Sequence, residues 1–193
     1  MMWVAVPSNG DPHMSPFKAL SRTEPLIVCG IDPGTRSMGY GIVGRRGRQL
    51  LHIDHGAFQP PAGLDSSQRL LQLGQEMGTL LDHHRPHVVS LEEAFVHKNV
   101  QSAFRLGEAR AVAMLAAAER RIPVVHYPTS VAKKAVTGHG SAGKDVVQDM
   151  VTRHLDLDAP PAIHDASDAL AIALCLLFDP RLDPRFSDAS ENG

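Results

Sequence analysis

The stretch 26-LIVCGIDPGTRSMGYGIVGR-45 decides how this chain folds. Its first seven residues form an apolar run ending in Gly30, Ile31 and Asp32. Pro33 and Gly34 then turn the chain, and 39-GYGIVGR-45 is a second extended run. That pattern predicts two strands joined by a compact loop. Residues 50-LLHIDHGAF-58 read as a third strand, and three strands so close in sequence favour an antiparallel meander. Asp32 would then sit at the carboxyl end of the first strand, where open α/β sheets gather their ligands. Pro33 stiffens the turn, and Gly30 and Gly34 are expected to leave room for a bulky polyanion. Asp-Pro-Gly is also a common turn sequence, so these residues alone leave Asp32 between a turn former and a functional carboxylate.

Beyond the meander the elements alternate. Leu70, Leu73, Met77, Leu80 and Leu81 recur at helical spacing after a Pro/Gly/Asp loop at 60–65, and Arg85 and Pro86 close that helix. Residues 87-HVVSLEE-93 read as a strand, about 100–121 as an Ala-rich helix, and 123-PVVHY-127 as another strand. Two helices, 129–135 and 143–156, flank the stretch 137-TGHGSAG-143, and a last helix runs from about His164 to Phe178. The expected fold is α/β: a mixed five-stranded sheet with helices on both faces, compatible with the ribonuclease H-like layout. The small side chains of the Ala-rich helix suit burial in its own core, with a share of a subunit interface as the rarer outcome.

The 193 residues, 43% of them hydrophobic, suffice for one well-buried core and are short for two. One domain is expected over residues 26–178, with a disordered N-terminal extension at 1–25 and a flexible C-terminal tail at 179–193, both rich in Pro, Ser and Asp without periodicity. Cys29 and Cys175 lie in apolar runs outside any zinc-type spacing and read as buried free thiols in a reducing compartment. Residues 1–25 lack a secretory pattern, and 169-ALAIALCLLF-178 is too short to span a bilayer, so a cytoplasmic protein is expected. The net charge of -2 argues weakly against a nucleic-acid partner. Within 26–178, however, Lys+Arg equal Asp+Glu, and several of those acids are candidate metal ligands.

Those acids form a pattern. Glu92 and Glu93 end the strand 88-VVSL-91, and because neighbours in a strand point to opposite faces only one of them can meet Asp32. Asp165 and Asp168, three apart at the start of the last helix, share one side of it, although acids there also suit the helix dipole. His164 could add an imidazole or face solvent. Acids at two strand ends and one helix start are what two-metal phosphodiester hydrolysis needs: Mg2+ or Mn2+ takes hard oxygen ligands, and two ions about 4 Å apart serve the attacking water and the leaving oxygen.

The blocks 30-GIDPGTRSMGYGIV-43, 91-LEEAF-95, 137-TGHGSAGK-144 and 165-DASDALAIA-173 resemble, in order and interval, those of the RuvC family of bacterial Holliday junction resolvases. The resemblance covers about 26–178. It implies a homodimer of ribonuclease H-like fold that nicks a four-way junction symmetrically, in recombination and repair, alongside the RuvA–RuvB branch-migration complex. It implies Asp32, Glu92, Asp165 and Asp168 as ligands of two Mg2+ or Mn2+ ions, and chooses Glu92 over Glu93. Phe95 matches an aromatic that stacks on a base, and Lys133 and Lys144 match basic positions near the scissile phosphate. Arg36, Lys98, Arg105, Arg110 and Lys134 are candidate phosphate contacts. His164 is outside the family's required pattern. The family's first acidic block lies nearer the start of the chain, so residues before it are expected to be an extension, with Met14 as an alternative start. GIDPGT also resembles the phosphate loop of actin- and sugar-kinase-like ATPases, which usually need a longer, duplicated chain. A junction-binding protein without activity is the third reading.

Overall fold

The structure is a computed structural model that describes residues 25–93 and 100–179. The elements follow in the order β1 (Leu26–Asp32), β2 (Met38–Arg46), β3 (Gln49–Phe58), α1 (Ser66–His84), β4 (Val88–Glu93), α2 (Val100–Glu119), β5 (Val124–Pro128), α3 (Thr129–Thr137), α4 (Lys144–His154) and α5 (His164–Leu177). The five strands form one sheet in the order β3-β2-β1-β4-β5. β1, β2 and β3 pair antiparallel, as the meander requires, while β4 pairs parallel to β1 and β5 parallel to β4. The expected mixed five-stranded sheet is therefore present. Residues 1–24, 94–99 and 180–193 lie outside the described residues, and with them the expectations for both tails, Phe95 and Lys98.

Strand alternation builds two cores. Cys29, Ile31, Val89 and Leu91 face Leu73, Met77 and Leu81 of α1 and Ala109, Ala113 and Ala117 of α2. Val28 and Val88 face the other way, toward α3, α4 and α5. Helix α1 starts earlier than its apolar spacing predicts, because Asp65 and Gln68 form a reciprocal capping box that secures the first turn before any core residue is reached. It ends where expected, at Arg85 in the left-handed region (φ 45°) ahead of Pro86. The Ala-rich α2 buries Ala109, Ala113, Ala116 and Ala117 in its own core. Cys29 and Cys175 are both buried. Among the described residues no helix is long and apolar enough to cross a membrane.

Helix α5 lies almost directly on the sheet. A Cβ at Gly30 would stand 2.1 Å from the Ala169 carbonyl oxygen, and one at Gly39 would stand 2.0 Å from that of Asp165. Only glycine admits so close a backbone approach. This corrects the expectation for Gly30 and Gly34. The space above Gly30 is filled by α5, and a Cβ at Gly34 would meet the Ser37 carbonyl oxygen at 2.2 Å, so neither glycine clears room for a polyanion. Gly30 instead lets the helix carrying Asp165 and Asp168 settle against the strand carrying Asp32. Ser90 of β4 donates its hydroxyl to the Ile172 carbonyl of α5 at 2.9 Å, and Arg45 donates to the Leu177 carbonyl at the helix's far end, where a cation complements the dipole.

Candidate active site

The acids meet at the carboxyl ends of the two central strands. Gly30 pairs with Ser90 and Ile31 with Leu91, which brings Asp32 and Glu92 side by side across the β1/β4 boundary. Parity selects the glutamate. Ser90 points at α5, Leu91 points at α1 and α2, and so Glu92 returns to the α5 side while Glu93 turns away. Glu92 is therefore the glutamate on the same side of β4 as Ser90 and α5. Asp165 and Asp168 extend from the first turns of α5 over the same end of the sheet.

The carboxylates act strongly on one another. Burial pushes the Asp32 carboxyl up to about 9, with Glu92, Asp168 and Asp165 adding like-charge repulsion and Glu92 also sharing a hydrogen bond with it. Full ionisation of the metal-free cluster is therefore disfavoured. Burial also raises Asp168, against the opposing pull of Lys144 and Lys133, while Glu92 and Asp165 reinforce the rise. Lys144 Nζ stands 3.8 Å from Asp168. Lys133 Nζ donates to the Ala142 carbonyl at 2.8 Å and so ties α3 to the loop that leads into Lys144. Both lysines thus stand beside the acids, one directly and one while bracing the approach of the other.

Two hydroxyls that the sequence reading passed over hold the outer acids. Ser37 Oγ donates to Asp165 Oδ2, and Thr129 Oγ1 donates to Glu92 Oε1. Thr129 opens α3, whose N-cap is Pro128 without a side-chain cap, and α5 likewise begins without a side-chain cap after Ile163. Two helix N-termini without side-chain caps therefore stand beside the anionic cluster, where their dipoles favour its charge. Among the described residues no three His, Cys, Asp or Glu side chains converge as a ready-made metal site. The donor set nonetheless fits a hard divalent cation: all four are oxygen donors, and the repulsion that adds to burial in raising Asp32 is what a cation would relieve.

The remaining candidates are dispersed. His164 is exposed at the start of α5 and is not among the groups that perturb Asp32 or Asp168. Arg36 is exposed in the loop after Asp32, Lys134 on α3 and Arg105 on α2. Arg110 donates to His126 Nδ1 at 3.1 Å, on the sheet face covered by α1 and α2, opposite to the acids.

Comparison with known proteins decides the family. The profile described as crossover junction endodeoxyribonuclease RuvC matches residues 28–176. The chain belongs to the RuvC family. It is 47% identical over 150 residues to the crossover junction endodeoxyribonuclease RuvC of Protochlamydia amoebophila, covering 78% of this chain and 89% of that protein. Among solved structures it is similar to T. thermophilus RuvC in complex with Holliday junction substrate, at 31% identity and a TM-score of 0.76, covering 81% of this chain and 96% of the other. The yeast mitochondrial Holliday junction resolvase Ydc2 shares the fold at 13% identity and a TM-score of 0.61, covering 86% and 84%. The fold is that of the ribonuclease H-like resolvases, as the sheet order indicated.

Proposed function

We infer that this chain is a Holliday junction resolvase, a structure-selective DNA endonuclease of recombination and repair that works in the cytoplasm as a homodimer. Membership of the RuvC family over residues 28–176 supports the activity. The observation that supports the site is the grouping of Asp32, Glu92, Asp165 and Asp168 at one end of the sheet, where burial first and like charge second push the Asp32 carboxyl up.

In this reading water adds to phosphorus, the bond to the 3′ oxygen breaks, and a 5′ phosphate and a 3′ hydroxyl remain. Asp32, Glu92, Asp165 and Asp168 would hold two divalent ions, Mg2+ or Mn2+, with His164 as a further candidate donor at the rim. Such ions, once bound, would supply a nucleophile at neutral pH and charge neutralisation at the leaving oxygen. Lys144, beside Asp168, and Lys133, behind the loop, set positive charge where the scissile phosphate gathers negative charge. Arg36, Lys134 and Arg105 are exposed and suited to phosphates that position the junction. Arg110, already bonded to His126, fits that role less directly. Phe95 would stack on a base near the crossover, with Lys98 on a neighbouring phosphate.

Homodimerisation suits a substrate with twofold symmetry, because each subunit then cuts one of two equivalent strands. Helix α2 offers a surface for it: Val100, Phe104 and Leu115 lie on one face and are 67%, 70% and 64% exposed. Branch migration by a RuvA–RuvB complex would deliver the junction. Family membership leaves no observation favouring the ATPase or the inactive junction binder. Asp32→Asn tests the site: four-way junctions should still be bound in gel-shift assays and no longer cut, whereas normal turnover would refute the assignment.

A further inference from the structure

Two of the four carboxylates are held by hydroxyls from elements that contribute no acid. Thr129 Oγ1 donates to Glu92, and Ser37 Oγ donates to Asp165. Thr129 is the first residue of α3, beyond the point where β4 and β5 pair Glu92 with Tyr127 and Glu93 with Pro128. A β-branched residue has few χ1 choices, which limits the directions its hydroxyl can take. Ser37 closes the tight turn after Asp32, where the Gly34 Cα lies against the Ser37 carbonyl. Each hydroxyl engages one oxygen of its carboxylate, Oε1 of Glu92 and Oδ2 of Asp165.

We propose that Thr129 and Ser37 are positioning residues that fix the orientation of Glu92 and Asp165 and thereby set the affinity of the cluster for divalent metal. The inference rests on the reading of these acids as metal ligands. A carboxylate left to rotate must be ordered again on each binding event, and losing a partner behind a ligand commonly weakens metal binding by about tenfold to a hundredfold. The two contacts also explain how four acids that do not converge as a ready-made site stay within reach of one another: the outer pair is tethered from outside, while Asp32 and Asp168 are confined by burial.

The test is titration of the full-length protein, without DNA, with Mn2+ alone, read by calorimetry and by the rise in melting temperature. Thr129→Val and Ser37→Ala should each weaken Mn2+ binding about tenfold, and Thr129→Ser, which keeps the hydroxyl, should stay near the parent. In junction cleavage the same variants should need more metal for half-maximal rate and approach the parent rate at saturation. Glu92→Gln separates the two levels of the argument. Should it bind Mn2+ as the parent does, the ligand reading itself fails. Should it bind weakly while Thr129→Val and Ser37→Ala bind as the parent, the acids stand and the positioning role is overturned. Far-ultraviolet circular dichroism and metal-free melting of each variant establish that it is folded; a variant that does not fold is replaced by Thr129→Ala or Ser37→Gly.

Discussion

The Ser90 hydroxyl and the Ile172 carbonyl, 2.9 Å apart and buried, join β4 to α5 two residues before Glu92 and four residues beyond Asp168. This bond fixes which side of β4 faces the helix, and with it which glutamate enters the site. The carbonyl already serves the helix, so Ser90→Ala removes one buried hydrogen bond and should lower stability by about 1 kcal/mol. Gly30→Ala should cost more, about 3 kcal/mol, because its Cβ would meet backbone of α5 rather than a side chain that can move aside. Urea unfolding of the two variants measures both losses; equal stabilities would contradict the close seating of α5.

Asp32 gives the metal-free protein a pH dependence of unusual sign. Its folded-state pKa, about 9, lies above its ordinary value of 3.8. Between these the folded form keeps a proton that the unfolded chain releases, so stability falls as pH rises. Without metal, the melting temperature should decline from about pH 4 to about pH 9, and Asp32→Asn should flatten that decline. Saturating Mg2+ or Mn2+ should raise the melting temperature most at the alkaline end, where the cluster is most charged. No shift with metal at any pH would count against the site.

The exposed face of α2 carries its own expectation. Phe104→Asp places a charge in the proposed subunit contact and should convert the dimer to monomer in analytical ultracentrifugation while leaving the melting transition cooperative. A dimer unchanged by this variant would move the interface elsewhere.

Much of this fold is legible in the sequence because its cues are local. The turn Asp32–Pro33–Gly34, the alternation in 87-HVVSLEE-93 and the helical spacing of Leu73, Met77 and Leu81 each announce an element without reference to the rest. The site is less so. Glu92 and Glu93 are equivalent by spacing, and only the register with β1 and the contact to α5 tells them apart. Gly30 looks the same in sequence whether the space above it holds a ligand or a helix, and the helix that fills it comes from the opposite end of the chain. Ser37 and Thr129 carry no signal of their own, since a hydroxyl in a turn or at a helix start is ordinary until its partner is known.

Cleavage of a synthetic four-way junction beside a linear duplex of the same sequence, in Mg2+ and in Mn2+, tests the central claim most directly. The arrangement of Asp32, Glu92, Asp165 and Asp168 on a RuvC-family fold predicts paired nicks at symmetrical positions of the junction, dependent on metal, with the duplex left intact. A junction left uncut in both metals, or a duplex cut as readily as the junction, would contradict it.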